Sequence, residues 1–150
     1  GIYARRLARR YPELVRQVIT LGSPFRITPH QRSTVSGVFE RLRDRHVPLV
    51  DEVLPGFDSG PLSVPATAIY TRTDGVVRWW QCIESIGPQR ENIEVRGSHS
   101  GLGFNPAVVV AVSDRLAQRP DEWQPFRPPI GLGTWYPHPA DYRDTPTRVA

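Results

Sequence analysis

The sequence predicts an α/β fold: about three parallel strands with flanking helices, followed by a Pro-rich C-terminal tail. Three observations carry this reading. Short strand-forming runs at 17–21, 66–71 and 92–96 each lead into a turn signal, namely Gly22-Ser23-Pro24, Asp74-Gly75 and Gly97-Ser98. Stretches with apolar residues at helical spacing alternate with these runs, as expected of a parallel sheet covered by helices. The chain of 150 residues is long enough to enclose a core.

In chain order, segment 2–11 predicts a helix. Ile2, Ala4, Leu7, Ala8 and Tyr11 supply its apolar face, and Arg5, Arg6, Arg9 and Arg10 crowd the other side until Pro12 interrupts it. The run Gln17-Val18-Ile19-Thr20-Leu21 predicts a buried strand. Val35, Val38, Phe39, Leu42 and His46 predict a helix over 34–46, with Ser33 or Ser36 as cap, and 47–65 reads mostly as loop. A second strand runs over 66–71 behind Pro65. Residues 78–86 predict a short helix, and Asn92-Ile93-Glu94-Val95-Arg96 a third strand. Asn105-Pro106 predicts a helix start, with Asn as cap, Pro at the first helical position, and Val108, Val109, Val112 and Leu116 on one face. From Arg119 onward, prolines break any regular element. Trp123, Phe126, Trp135 and Tyr136 are expected to pack part of this tail on the body, and the last ten residues or so to be disordered.

Composition bounds the function classes. An apolar fraction of 39% and a mean hydropathy of −0.39 fit a soluble globular chain. No apolar run approaches the roughly 18 residues of a membrane span. All 19 basic residues are arginine. We attribute this to a GC-rich, bacterial-type genome, so the net charge of +4 argues only weakly for nucleic acid. The single cysteine, Cys82, excludes an intramolecular disulfide. His30, His46, His138 and Cys82 match no tight metal-ligand spacing, so neither a metal nor a cofactor is expected. Gly1 and the absence of Met lead us to expect sequence upstream, where any signal peptide would lie. A cytoplasmic setting is slightly favoured.

The chemistry concentrates on two residues. Asp74 and His99 each follow a predicted strand, and active sites of open α/β sheets gather at the carboxyl ends of strands. They stand 25 positions apart, one strand–crossover–strand step, which brings their loops side by side. A carboxylate there can hold a histidine in one tautomer, and the histidine can take a proton from a nucleophile. Taken alone, Asp74-Gly75 is an ordinary turn and His99 an ordinary loop histidine. Ser98 and Ser100 flank His99 in sequence, a poor geometry for a nucleophile, and Ser23 reads as a turn residue near the site.

Three segments raise the weight of that pair. Thr71-Arg72-Thr73-Asp74-Gly75-Val76-Val77 resembles the acid loop of lipase- and esterase-type α/β-hydrolases. Gly97-Ser98-His99-Ser100-Gly101-Leu102 resembles their histidine loop. Gly1-Ile2-Tyr3-Ala4-Arg5 through Leu21-Gly22-Ser23-Pro24-Phe25 resembles the helix and strand after the nucleophile elbow, with Gly1 as the elbow's last glycine. The family's order is Ser, Asp, His, and the acid and base follow it.

The resemblance covers roughly residues 1–127 and implies the C-terminal part of an α/β-hydrolase domain, with 26–62 as a cap or lid insertion and 128–150 as the tail. It implies a Ser-His-Asp triad whose serine lies outside this chain, a carboxylic-ester substrate, and Trp79 and Trp80 as walls of an acyl pocket. A chain of this kind is expected to be inactive alone. Its expected partners are the missing N-terminal half or a second copy, and an ester or lipid-like small molecule. The alternative is a non-catalytic interaction protein on a truncated hydrolase scaffold.

Overall fold

A computed structural model describes residues 1–26, 60–119 and 121–137. Strands β1 (Val18–Leu21), β2 (Ala66–Tyr70) and β3 (Arg90–Glu94) form one parallel sheet in the order β1-β2-β3. Helix α1 (Ile2–Arg10) precedes β1, and helix α2 (Pro106–Ala117) follows β3. The predicted α/β class is observed. The helix expected over 34–46, its caps Ser33 and Ser36, and most of the 26–62 insertion lie outside the described residues.

Register sorts the side chains into two layers. Val18 pairs with Ala66 and Leu21 with Ile69, while Ile69 pairs with Ile93 and Tyr70 with Glu94. Strand side chains alternate, so Ile19, Ile69 and Ile93 share one face and Val18, Ala66 and Tyr70 the other. The first face packs on α2, burying Ile69, Ile93, Val95, Leu102, Ala107, Val108 and Ala111 together. The second face packs on α1 through Ala8 with Val18, Leu62, Val64 and Ala66. The crossover after β2 covers that same face, burying Val77, Cys82 and Ile83 against Tyr70. Each fully buried aliphatic side chain contributes about 1.5–3 kcal/mol.

The helices depart from their predicted faces. In α1 the inner residues are Ala8 and Arg5, both fully buried, while Leu7 is 54% and Tyr3 63% exposed. Arg5 turns inward because Glu84, itself buried, accepts an ion-paired hydrogen bond from it, and the Gly60 carbonyl accepts another at 2.8 Å. The guanidinium also lies 3.9 Å from the centre of the Phe25 ring. In α2 the inner residues are Ala107, Val108, Ala111 and Arg115, with Val112 half-buried, and Val109 and Leu116 face outward. Alanines let the helix approach the sheet, and Arg115 meets Glu91 at 2.8 Å. Asn105 caps α2 as predicted, its side chain accepting from Ala107 N–H at 2.9 Å.

Two other boundaries differ. The short helix expected over 78–86 is a single 3₁₀ turn, Trp79–Gln81. The third strand begins at Arg90, two residues early, because Ala66 N–H already donates to the Gln89 carbonyl. The tail packs on the body through Phe126 and Tyr136, while Trp135 is 40% exposed. Phe126 and Tyr136 meet edge to face at 4.8 Å on the α2 core, and Tyr136 donates to the Ala107 carbonyl at 2.9 Å. Residues 138–150, where disorder was expected, lie outside the described residues.

Removing Arg5 leaves a buried carboxylate without its cation. Arg5→Ala should lower unfolding free energy by about 3–5 kcal/mol in urea titrations. Arg10→Ala, on the exposed side of the same helix, should change it by less than about 0.5 kcal/mol.

Candidate active site

The site is built where the three strands end. After β2, Thr71 to Val77 fold back so that both oxygens of Asp74 are occupied. Oδ1 accepts from the N–H groups of Val76 and Val77, each at 2.8 Å. Oδ2 lies 2.7 Å from His99 Nδ1. An ionised carboxylate only accepts, so the shared proton sits on Nδ1 and leaves Nε2 as the basic nitrogen of the neutral ring. The Asp74 side chain is 2% exposed and that of His99 33%, so the acid is enclosed and the base reaches the surface. Among the described residues, Nε2 makes no hydrogen bond.

Hydroxyl groups stitch the acid loop to the histidine loop. The Gly97 carbonyl accepts from Thr71 Oγ1 at 3.1 Å and from Thr73 Oγ1 at 2.5 Å. The histidine loop is then closed on itself. Asn105 Nδ2 donates to the Arg96 carbonyl at 2.7 Å, and Leu102 N–H to the Ser98 and His99 carbonyls at 3.1 and 3.3 Å. Leu102 is buried beneath the loop in the α2 core. Ser98 Oγ accepts from Gly101 N–H at 3.2 Å, so this hydroxyl supports the turn.

β1 reaches the same place. Gly22 sits at φ +51°, and a Cβ built on it would stand 3.2 Å from His99 Nδ1 and 3.3 Å from Asp74 Oδ2. Gly1, at the start of α1, packs so closely on Ser23 that a Cβ there would overlap its side chain. The start of α1 and the ends of all three strands therefore meet at one end of the sheet.

The structure thus brings Asp74 and His99 together. Trp79 and Trp80 stand beside the acid loop. Trp79 stacks on Tyr70 at 6.0 Å, with the Arg72 guanidinium 4.5 Å from its centre. Trp80 meets Trp79 edge-on at 5.6 Å. Sequence reasoning missed Gly22, Thr71, Thr73 and the loop-closing bond of Asn105. Only Thr71-Arg72-Thr73 carried a legible signal, two hydroxyls with the period of an extended chain at a strand exit. A cleft of about 220 Å³ lies behind the histidine loop, lined by Arg96, Asn105, Pro106, Ala107, Thr134 and Trp135. Among the described residues, no group of three or more His, Cys, Asp or Glu side chains could hold a metal ion, and no helix is long and apolar enough to cross a membrane. His30, His46 and His138 lie outside the described residues.

No family model matches the chain, and neither does any curated protein or solved structure. The chemistry of the site therefore rests on its own geometry.

Two expectations follow for this region. Thr71→Val with Thr73→Val removes both hydroxyl donors to Gly97, at about 1 kcal/mol each, and should speed amide hydrogen exchange across 97–102. Burial, aided by the nearby Asp74 charge, pushes the Cys82 thiol far above its ordinary range. Native protein at pH 8 should therefore resist iodoacetamide at Cys82 and react once unfolded, as read by mass spectrometry.

Proposed function

We propose that this chain is the C-terminal, acid–base portion of a serine hydrolase that cleaves carboxylic esters, of lipase or esterase type. The observation that carries the reading is the Asp74–His99 pair, 2.7 Å apart at the carboxyl end of adjacent parallel strands. A serine from outside this chain attacks the ester carbonyl, and His99 Nε2 takes its proton. The Nδ1 proton stays hydrogen-bonded to Asp74, whose charge stabilises the imidazolium. His99 then returns the proton to the leaving alkoxide, and water releases the acyl group by the same sequence in reverse roles.

The position of Gly1 supports the reading. The resemblance makes it the last glycine of a nucleophile elbow, and α1 begins at the end of the sheet that holds the dyad. Trp79 and Trp80, just past the Val77 N–H that holds Asp74, are proposed to flank the acyl group.

A second reading has its own support. Tyr3, Leu7, Tyr11 and Leu14 form an exposed apolar stripe along and beyond α1, and no described strand lies on the outer edge of β1. On this reading the chain is a non-catalytic scaffold that binds an upstream half or a second copy through that surface.

Hydrolysis of a short-chain p-nitrophenyl ester separates the two. The chain alone should be inactive. With the upstream segment restored, activity and fluorophosphonate labelling should appear, and His99→Ala should reduce turnover by about 10⁶-fold. A well-folded restored protein without turnover or labelling would favour the scaffold reading.

A further inference from the structure

We infer that Gly22 is a positioning residue for the Asp74–His99 pair: its bare, left-handed backbone is the wall against which the hydrogen bond between the two side chains is set. The inference rests on the acid–base reading of the pair and adds a residue from the third strand end to it.

Gly22 is fixed from both sides. Its N–H donates to the Ile69 carbonyl at 2.8 Å, the last rung between β1 and β2, and so ties it to the strand that leads to Asp74. On its other side stands Leu102, whose own N–H is bonded to the Ser98 and His99 carbonyls. The Gly22 α-carbon is thereby wedged between the acid loop and the base loop. A methyl group there would lie 2.8 Å from Leu102 Cδ1, 3.2 Å from His99 Nδ1 and 3.3 Å from Asp74 Oδ2. Leu102 is buried and cannot move outward without opening the α2 core. The methyl therefore presses on the imidazole and the carboxylate as well, each of which must give by a few tenths of an ångström. The φ of +51° sets a second requirement, since L side chains rarely adopt that conformation. The Asp74 side chain at the other end of the 2.7 Å bond is 2% exposed, and a low local dielectric strengthens such a bond.

The consequence is chemical. Which ring nitrogen of a neutral histidine carries the proton is set by the hydrogen bond it makes. With Gly22 in place, His99 is held as the Nδ1–H tautomer, which leaves Nε2 as the base. A side chain at position 22 releases that hold.

The test reads the imidazole directly, on the chain as it stands, so it does not depend on ester hydrolysis. Two-bond ¹H–¹⁵N correlation spectra of the neutral ring distinguish the tautomers. The unaltered chain should show the Nδ1–H form. Gly22→Ala should shift the ratio toward Nε2–H by about tenfold, the loss of one net hydrogen bond. Gly131→Ala is the control, because Gly131 is also left-handed, at φ +85°, yet has nothing within 4 Å of a built Cβ. It should leave His99 unchanged. Should Gly22→Ala fail to fold, the same substitution in a Leu102→Ala background removes the closest contact and keeps the methyl beside the pair. An unchanged tautomer in a folded Gly22→Ala protein, or an equal change in Gly131→Ala, would overturn the inference.

Discussion

The buried ion pair of Arg5 and Glu84 is the constraint on which the arrangement depends. The Arg5 side chain is fully enclosed, and an arginine does not give up its charge there. The fold must therefore bring acceptors to it, and it does so from separate parts of the chain: the Glu84 carboxylate, the Gly60 carbonyl and the Phe25 ring face. Burial pushes the Glu84 carboxyl above its ordinary range, and the guanidinium of Arg5, with Arg90 and Arg26, opposes that push. Asn92 on β3 completes the clamp by exchanging two hydrogen bonds with the Glu84 backbone, at 2.7 and 2.9 Å. One charge in α1 thus fixes the segment after β1, the approach to β2 and the crossover into β3. Desolvation offsets much of the attraction in such a pair, but losing one partner leaves the other charge buried and uncompensated.

That geometry has a consequence at the end of the sheet where the strands finish, one helical turn from Arg5. With α1 held by Arg5, Gly1 falls against Ser23, and the turn after β1 closes over the ends of β2 and β3. The Asp74–His99 pair is then held in place by neighbouring groups. Backbone N–H groups hold one oxygen of Asp74, threonine hydroxyls hold Gly97, and Asn105 closes the loop that carries His99. Ordering such contacts during folding means that none need be formed when a proton moves. The two side chains differ in access: Asp74 is enclosed and fully bonded, and His99 reaches the surface with Nε2, the arrangement that the proposed acid–base role calls for.

Much of the fold was legible, because strand runs and their closing turns are local signals. Ala66–Tyr70 and the Asn105-Pro106 helix start needed only near neighbours to be read correctly. Asp74 and His99 were legible for the same reason, each lying directly past a strand. What failed was long-range. Arg5 was placed on the solvent face because nothing near it in sequence reveals an acceptor 79 positions away. In α2, Leu116 was expected to face inward, yet Arg115 turns in instead because Glu91 on β3 meets it, 24 positions back. Gly22 read as a turn glycine, which it is, but its proximity to two other loops exists only once the sheet has formed.

The two edges of the sheet are not alike, and the contrast bears on how the chain meets its surroundings. β3 carries Arg90, Glu91 and Glu94, and charge on an edge strand deters pairing with another chain. β1 reads Val-Ile-Thr-Leu and has no such guard. Val18 and Gly22 donate toward β2, so the intervening Ile19 and Leu21 turn their backbone N–H and C=O groups to the other side. Leu21 is 38% exposed there. An unguarded apolar edge next to a helix with an exposed apolar stripe has the character of an interior surface, and interior surfaces are stable in water only when covered. Among the described residues, the edge of β1 without a pairing strand is also the side on which α1 begins beside Asp74 and His99. On the proposed hydrolase reading, one segment carrying a serine could both cover that edge and reach His99.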